Sequence, residues 1–192
     1  MAKQNFFAHQ TAVLDEGCII GNMTKIWHFS HIMSSAIIGE RCNLGQNIVV
    51  SHGVILGNNV KVQNNVSIFS GVKCEDDVFL GPSMVFTNII NPRSAVVRKN
   101  QFTETIVEKG ASIGANATII CGNKIGQYSL VGAGSVVTKP VKAYALVLGN
   151  PAKQMGWVSQ YGQSLNFNKY NIAICPESKE SYRIEENSVK KI

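Results

Sequence analysis

An apolar residue recurs every six positions through the first half of this chain. Counting in sixes from Leu14, every position up to Phe86 carries an aliphatic residue, a cysteine or a phenylalanine. An α-helix repeats about every 3.6 residues and does not produce this spacing. A second inward candidate, usually small or β-branched, follows these residues by four positions, as at Thr24 and Ala36. Because residues two apart share one side of an extended chain, each unit predicts a short strand and a three-residue corner.

The predicted corners contain glycine and asparagine, as in Gly-Asn-Met at 21–23 and Gly-Asn-Asn at 57–59. These residue types suit backbone conformations that other side chains tolerate poorly. Such short strands cannot bury themselves, so each must pair with the equivalent strand of the next coil, about 4.8 Å away. The chain is therefore predicted to be all-β, with a parallel β-helix as its main unit.

Composition narrows the class of protein. The chain has 192 residues, which fits one domain with an appendage. No apolar run approaches the roughly 18 residues that span a bilayer, so we expect a cytoplasmic protein without membrane insertion. The five cysteines include no CxxC pair, which argues against a disulfide framework and a zinc knuckle. The net charge is +6, but without aromatic-basic interleaving or a predicted helix we expect no nucleic-acid partner.

The six-residue pattern stops after Phe86 and restarts at Val107. A loop over 87–106 inserted at a corner costs a stacked coil little, and loops of this size inside compact repeats are usually functional. We expect a β-helix domain over 1–156 and a C-terminal extension over 157–192, with a short hairpin around the sequence PESKE. The polar and basic residues of the loop are Asn88, Asn91, Arg93, Arg98 and Lys99.

Three outward positions of one face carry isoleucine, at Ile19, Ile37 and Ile55. Such a ladder is a sizeable apolar patch on a monomer. We expect it to pack against another subunit; the alternative is that the terminal segments cover part of it.

Several motifs together are similar to a known family. They are IWHFSHI, KVQNNVSI, EDDVFLGPSMVFTN, NPR and GASIGANATIICG, within a likeness that runs from about residue 8 to 162. The chain resembles the hexapeptide-repeat, left-handed β-helix acyltransferases, and within them the N-acetyltransferases that acetylate the 3-amino group of a nucleotide-linked sugar. The resemblance is closest to the enzymes that act on UDP-2-acetamido-3-amino-2,3-dideoxy-glucuronic acid in bacterial O-antigen assembly. It implies a left-handed, triangular coil and a homotrimer.

The resemblance implies acetyl-CoA as co-substrate. From Lys109 to Lys169 the chain contains six lysines and no acidic residue, which creates a positive field that suits the coenzyme A phosphates. By resemblance, Lys139 and Lys153 meet those phosphates. The backbone around Ala115 and Ala133, where small residues permit the approach of an extended arm, lines the pantetheine slot. A plain solvated lysine face is the alternative.

Asn88 is the expected catalytic residue, both by resemblance and by its position at the base of the loop. An amide is not a base at neutral pH, so Asn88 would accept a hydrogen bond from the attacking amine and orient its lone pair. The departing thiolate, with a pKa of about 8.5, can take the proton. His52 lies in the same corner column but two coils away, about 10 Å, which is too far to contact the same atom.

Several of the expected substrate-binding residues also have a structural explanation. His28 and His31 are candidates for the sugar or its phosphates across a subunit boundary, or for interface packing. Asparagines of KVQNNVSI are candidates for the nucleotide sugar, or for a ladder inside the stack. Guanidinium groups of the loop suit a carboxylate or phosphate. The full set is His28, His31, Asn64, Asn65, Asn91, Arg93 and Arg98.

Three other functions stay open at this stage. The acceptor can be dTDP-linked or a 4-amino sugar. A β-helix can also be a structural or surface-binding protein, although those favour a flat threonine-rich face. A hexapeptide-repeat carbonic anhydrase needs three histidines on one zinc ion, whereas His28, His31 and His52 fall in three different columns. We therefore expect no metal.

Overall fold

The computed structural model describes residues 5–98 and 100–192, and in these residues it contains strands, turns and bends but no helix. Three sheets form the sides of a coil that winds through most of the chain. Sheet A consists of β1 (Phe7–Ala8), β4 (Lys25–Ile26), β7 (Asn43–Leu44), β10 (Lys61–Val62), β13 (Phe79–Leu80), β16 (Ser112–Ile113), β19 (Leu130–Val131), β21 (Ala145–Leu148) and β22 (Lys153–Trp157).

Sheets B and C complete the coil. Sheet B consists of β2 (Val13–Leu14), β5 (His31–Ile32), β8 (Val49–Val50), β11 (Ser67–Ile68), β14 (Val85–Phe86), β17 (Thr118–Ile119) and β20 (Val136–Val137). Sheet C consists of β3 (Ile19–Ile20), β6 (Ile37–Ile38), β9 (Ile55–Leu56), β12 (Val72–Cys74), β15 (Thr105–Val107) and β18 (Lys124–Ile125).

Each strand pairs in parallel with the equivalent strand of the next coil. Lys25 pairs with Asn43 and Asn43 with Lys61, so three six-residue units make one coil. The predicted parallel β-helix is confirmed. Its core holds the apolar series found in the sequence, and Ile26, Leu44 and Val62 are fully buried.

The second inward position is also confirmed. Thr24 is fully buried; its hydroxyl donates to the Gly39 carbonyl at 2.7 Å and accepts the Cys42 N–H at 3.0 Å. A buried hydroxyl is tolerated there because the next coil supplies its partners.

Glycines at the third corner position, such as Gly53 (69°), have the left-handed φ that the sequence predicted, but glycines at the first corner position are explained differently. Left-handed φ values fall two positions after the glycine, as at Met23 (59°) and Asn59 (56°). At Gly39, a Cβ would lie 2.5 Å from the Gly57 carbonyl oxygen of the next coil. Glycine is needed at this position because successive coils approach too closely for any side chain.

The insertion lies at a corner between sheets B and C. β14 ends at Phe86 and β15 begins at Thr105, two residues inside the segment predicted to lack register. Lys73 pairs with Ile106, which shows that the register resumes on the other side of the loop. Thr105 is polar and was therefore not predicted to be a core residue, but only 1% of its surface is exposed. The Thr103 N–H donates to the Asn88 carbonyl at 3.1 Å and closes the base of the loop.

The end of the chain departs from the coil. β21 and β22 pair antiparallel, and β22 runs through the expected boundary between 156 and 157. A separate antiparallel sheet follows, formed by β23 (Ile172–Ile174), β24 (Ser181–Glu185) and β25 (Ser188–Lys191). The hairpin predicted around PESKE joins β23 and β24, whereas β25 was not predicted. Buried Tyr182 packs edge-on against Tyr144, so the extension contacts the end of the coil.

The described residues contain no helix of the length and apolarity needed to cross a membrane.

Candidate active site

The corners of the coil stack into three edges, and each edge is named after the two sheets that it joins. The expected site residues lie mainly on two of these edges. The AB edge contains the corners 9–12, 27–30, 45–48, 63–66, 81–84, 114–117 and 132–135. The BC edge contains 15–18, 33–36, 51–54, 69–71, 87–104 and 120–123. The CA edge contains 21–24, 39–42, 57–60, 75–78, 108–111 and 126–129.

The structure does not bring all expected residues together within one chain. The AB edge holds His28, Asn64, Asn65, Ala115 and Ala133. The BC edge holds Asn88 and, in the described part of the loop, Asn91, Arg93 and Arg98, while Lys139 follows β20. His31 lies in sheet B between the edges, and Lys153 begins β22.

Asn88 combines a fixed backbone with an available side chain. Its residue is half-buried, and its carbonyl accepts the Thr103 N–H at the base of the loop. The side-chain amide makes no hydrogen bond to another residue in the described part of the chain. Ser70, one coil below, donates its hydroxyl to the His52 carbonyl at 2.9 Å, so the column runs down from Asn88 along the BC edge.

The loop above Asn88 presents polar and basic groups to solvent. Asn91 and Arg93 are exposed, and the Arg93 guanidinium donates only to the adjacent Pro92 carbonyl, at 2.9 Å, among the described residues. Arg98 is half-buried and donates to Gln101 Oε1 at 3.1 Å, while its Nε is buried with no partner in residues 5–98 and 100–192. Lys99 lies outside the described residues.

The asparagines of the AB edge are used by the stack. Asn64 Oδ1 accepts the Gln46 N–H at 2.9 Å, and Asn65 Oδ1 accepts an N–H of the Asn47 amide at 3.2 Å. Both residues are exposed, so their amide nitrogens remain accessible. The asparagine ladder, predicted as the alternative to a ligand contact, therefore exists for the oxygen atoms.

The two expected histidines have different surroundings. The His28 ring stacks on His9 with 3.5 Å between centroids, and its Nδ1 is buried without a partner among the described residues. His31 Nε2 lies 2.8 Å from Asp15 Oδ1, and this hydrogen bond lowers the pKa of the Asp15 carboxyl. The two rings therefore differ in their polar partners: the described residues give His28 Nδ1 none and His31 Nε2 a carboxylate.

Two of the four expected cofactor residues, Ala115 and Ala133, lie on the upper part of the AB edge. A Cβ at Gly114 would lie 2.5 Å from the Ala133 nitrogen, so the coils touch closely where Ala115 and Ala133 sit. Ala133 is exposed, and so are Lys139 and Lys153. Because the side chains of Ala115 and Ala133 are small, an extended ligand can approach the backbone closely at this edge.

The acidic run at 75–77 belongs to the CA edge. Glu75 accepts the Lys109 N–H at 2.9 Å, Asp76 accepts the Asn58 N–H at 2.7 Å, and Asp77 accepts from the Asn59 amide at 2.8 Å. These carboxylates order neighbouring corners. The described residues hold no group of three or more His, Cys, Asp or Glu side chains arranged for a metal ion.

The six-residue repeats of this chain match models of known protein families. Two family models match, one described as bacterial transferase hexapeptide (six repeats) at 17–47 and one as hexapeptide repeat of succinyl-transferase at 35–70 and 104–139. With the observed coil, these matches define a hexapeptide-repeat transferase with a left-handed β-helix.

One relative covers nearly the whole chain. It is the dTDP-3-amino-3,6-dideoxy-alpha-D-galactopyranose 3-N-acetyltransferase of Aneurinibacillus thermoaerophilus, 45% identical over 174 residues, which are 91% of this chain and 89% of the relative. The chain belongs to the hexapeptide-repeat family of sugar N-acetyltransferases. The family predicted from the sequence is confirmed.

Two solved structures share the fold. The polySia specific acetyltransferase NeuO is 18% identical with a TM-score of 0.56 and is matched over 78% of this chain and 80% of its own. A variant of AntD, an N-acyltransferase from Bacillus cereus in complex with dTDP and Coenzyme A, is 18% identical with a TM-score of 0.50, over 81% and 83%. At this identity the likeness concerns the fold alone.

Proposed function

We propose that this enzyme transfers an acetyl group from acetyl-CoA to the 3-amino group of a nucleotide-linked amino sugar. The observation that carries the proposal is the 45% identity, over 91% of the chain, to an enzyme named as a 3-N-acetyltransferase of a dTDP-linked 3-amino sugar. Because the match extends over 91% of the chain, a shared acceptor class is the simplest interpretation.

The preferred acceptor is a dTDP-linked 3-amino-3,6-dideoxyhexose, because that is the substrate class in the relative's name. The UDP-linked 3-amino uronate expected from the sequence is the second candidate. It is favoured by the loop arginines, since Arg93 is exposed and Arg98 has an unpartnered Nε among the described residues. A guanidinium matches a carboxylate in two-point geometry, which a 6-deoxy sugar does not offer.

Asn88 supplies orientation and not proton transfer in the proposed reaction. Its amide oxygen, which has no hydrogen-bond partner among the described residues, accepts an N–H of the sugar amine, and this directs the nitrogen lone pair at the thioester carbon. The C–N bond forms, the tetrahedral intermediate collapses, and the C–S bond breaks. The proton lost by nitrogen leaves with the thiolate of coenzyme A, which is basic enough to accept it.

The two edges are combined by assembly. Ala115 and Ala133 lie across sheet B from Asn88, and six extended residues span up to about 20 Å. A site that needs both edges is completed when the AB edge of one subunit meets the BC edge of another. Lys139 and Lys153 would then receive the coenzyme A phosphates. We propose a homotrimer with this arrangement.

The exposed ladder of sheet C supports the assembly. Ile19, Ile37 and Ile55 retain 59%, 40% and 39% of their surface, which is costly for neighbouring aliphatic side chains in water. Both substrates are metabolites of the bacterial cytoplasm, which is the location we propose. The product would serve the synthesis of a surface polysaccharide such as an O antigen.

The test is acetyl-CoA turnover, followed by thiol release, against a matched panel of acceptors. The panel contains dTDP- and UDP-linked 3-amino sugars, their 4-amino isomers and the UDP-linked 3-amino uronate. We expect the dTDP-linked 3-amino-6-deoxy sugar to give the highest kcat/KM, with an acetamide at C3 of the product. Preference for a 4-amino isomer, or no thiol release with any acceptor, would refute the proposal.

A further inference from the structure

A cavity of about 180 Å³ lies between the coil and the C-terminal extension. On one side it is bounded by sheet A and the CA edge, at Ser112 and Tyr128, and on the other by the segment 158–162. None of the residues proposed for the acetyl transfer lines it. The proposed reaction therefore gives this cavity no role. Its polar lining residues are Ser112, Tyr128, Ser129, Ser159, Gln160 and Tyr161.

The wall formed by the extension is held in place by hydrogen bonds. The Val158 N–H donates to the Tyr144 carbonyl at 2.8 Å, which ties the wall to the coil. Ser159 Oγ accepts the N–H groups of Tyr161 and Gln163 at 3.2 and 3.3 Å. The cavity is therefore preformed, and a ligand does not have to order this segment when it binds.

Four hydroxyl groups of the lining are unpaired among the described residues. Three of them belong to Ser112, Tyr128 and Tyr161, each of which keeps part of its surface exposed. The fourth is the buried Ser129 Oγ. At a comparable inward position of a regular coil, the Thr24 hydroxyl has two partners in the next coil. The lining therefore contains hydroxyl groups that neither the coil nor the extension satisfies.

The chemistry and size of the lining restrict the ligand. The described residues that border the cavity include no Asp, Glu, Lys, Arg or His. Hydroxyl and amide groups pair with neutral polar atoms, whereas an ion would lose its hydration without a counter-charge. The volume is also below the roughly 300 Å³ of pockets that hold drug-sized ligands, so coenzyme A or a nucleotide sugar does not fit inside. A small neutral molecule with several hydroxyl groups does.

The two tyrosines of the lining offer different surfaces. Tyr161 is 57% exposed and can present a ring face. Tyr128 stacks on Tyr144 with 5.4 Å between centroids, and a Cβ at Gly110 would lie 2.3 Å from its Cδ1, so it offers mainly its hydroxyl. A pyranose has C–H groups on its faces and hydroxyl groups around its rim. One aromatic face beside several hydroxyls suits such a ring.

We propose that this cavity binds one neutral pyranose sugar, with the sugar ring on Tyr161 and its hydroxyls paired with Ser112 and Tyr128. Gln160 Nε2 donates to the Tyr144 hydroxyl at 3.2 Å, which leaves Gln160 Oε1 as an acceptor for a further sugar hydroxyl. The inference goes beyond the proposed function, because the ligand carries no nucleotide and is not acetylated here. A bound sugar would bridge the coil and the extension and so stabilise their contact.

The experiment measures binding to the full chain by saturation-transfer NMR. The probes are the methyl α-glycosides of galactose and glucose, with galacturonate as an anion of similar size. We expect a neutral glycoside to bind with a millimolar Kd. Galacturonate should bind at least about tenfold more weakly, because the lining has no cation for its carboxylate.

Three variants locate the binding. Ser112→Leu fills the cavity from sheet A, where Leu130 already occupies the paired position of the next coil, and should weaken binding more than about tenfold. Tyr161→Ala removes the aromatic face and should weaken it about fivefold. Tyr170→Ala is the control, since Tyr170 is 69% exposed in the same extension but does not line the cavity. It should bind the glycoside like wild type.

Several results would overturn the inference. If neither methyl glycoside binds to the wild-type protein, the cavity is a hydrated gap only. If Ser112→Leu binds as wild type does, or if the dTDP-linked acceptor displaces the glycoside, the sugar occupies another site. Should Ser112→Leu have a lower unfolding midpoint, the comparison of Tyr161→Ala with Tyr170→Ala decides. Acetyl transfer is measured separately and is expected to be unchanged in all three variants, so failure of either proposal leaves the other standing.

Discussion

Two asparagines at opposite edges of sheet B show how one residue type serves two purposes. On the AB edge, Asn64 Oδ1 accepts the Gln46 N–H at 2.9 Å and so joins one coil to the next. On the BC edge, Asn88 fixes its backbone through Thr103 and leaves its side-chain amide unbonded among the described residues. The first amide oxygen builds the coil, and the second is available for a ligand.

The amides of Asn64 and Asn88 are used differently because only Asn88 stands at the start of the loop. A corner that continues directly into the next coil must satisfy the backbone groups it stacks against. Side-chain amides do this on the AB and CA edges, and the Asp76 carboxylate does so on the CA edge. At 87–104 the chain leaves the stack, and the residue at its root is released from that requirement. Insertions therefore create binding groups in a fold whose regular corners use theirs internally.

Removal of the loop should produce the largest change in enzymatic activity. Replacement of 89–102 by a short Gly-Ser linker keeps Asn88 and Thr103 but removes the arginines. We expect kcat/KM to fall by at least about a hundredfold, because the substrate loses its positioning groups. The melting temperature should stay close to the wild-type value, since closing a shorter loop changes chain entropy little. Full activity in the shortened enzyme would contradict a functional loop.

A side chain added between coils should damage the stack most. In Gly39→Ala, the Cβ meets the Gly57 carbonyl at 2.5 Å, and we expect a loss of about 3 kcal/mol in the free energy of unfolding. The matched variant is Gly53→Ala, where φ is 69° but no atom lies within 4 Å of the new Cβ. It should cost about 1 kcal/mol, from backbone strain alone. Equal losses in chemical denaturation would mean that close approach is not the constraint.

Loss of a stacking amide should have a moderate effect. Asn64→Ala leaves the Gln46 N–H without its acceptor, and we expect the free energy of unfolding to fall by about 1 kcal/mol. Asn58→Ala is the comparison on the CA edge, where Oδ1 accepts the Glu40 N–H at 2.8 Å. Urea denaturation of both variants checks the prediction. An unchanged midpoint for Asn64→Ala alone would show that its hydrogen bond does not stabilise the coil.

Loss of the hydrogen bond between His31 and Asp15, at the lower end of the BC edge, should have the smallest effect on stability. The hydrogen bond from His31 lowers the pKa of Asp15 below its ordinary value of 3.8, so the pair stabilises the fold above that pH. Its contribution is lost as the pH falls through the lowered pKa. We expect Asp15→Asn to melt about one degree below wild type at pH 7, with the difference vanishing in acid. If the difference in melting temperature stayed constant down to pH 2, protonation of Asp15 would not be linked to stability.

The sequence predicted the coil well because its geometry repeats. Every six-residue unit meets the same neighbours, so burial at Ile26 also predicts burial at Leu44 and Val62. Exceptions came from single contacts: Thr105 is polar but buried, and Gly39 is required by the next coil, not by its own φ. Such contacts lie outside any local pattern.

The candidate site was less predictable for the same reason. The residue type at Asn64 allowed either a ladder or a ligand contact, and only the position of its oxygen assigns that atom to the stack. The sequence also placed Ala115 and Asn88 in one scheme, whereas the structure puts them on different edges. Whether two edges meet depends on contacts between subunits. The spacing of residues within one chain does not predict such contacts.

The most direct test of the account is Asn88→Ala, with kcat and the unfolding midpoint measured on the same preparation. Asn100→Ala, an exposed asparagine within the loop, is the matched control. We predict that Asn88→Ala lowers kcat about a hundredfold through misorientation of the amine and leaves the midpoint unchanged. Wild-type kcat, or a loss of activity that merely follows a lower unfolding midpoint, would contradict the assignment of the Asn88 amide to catalysis.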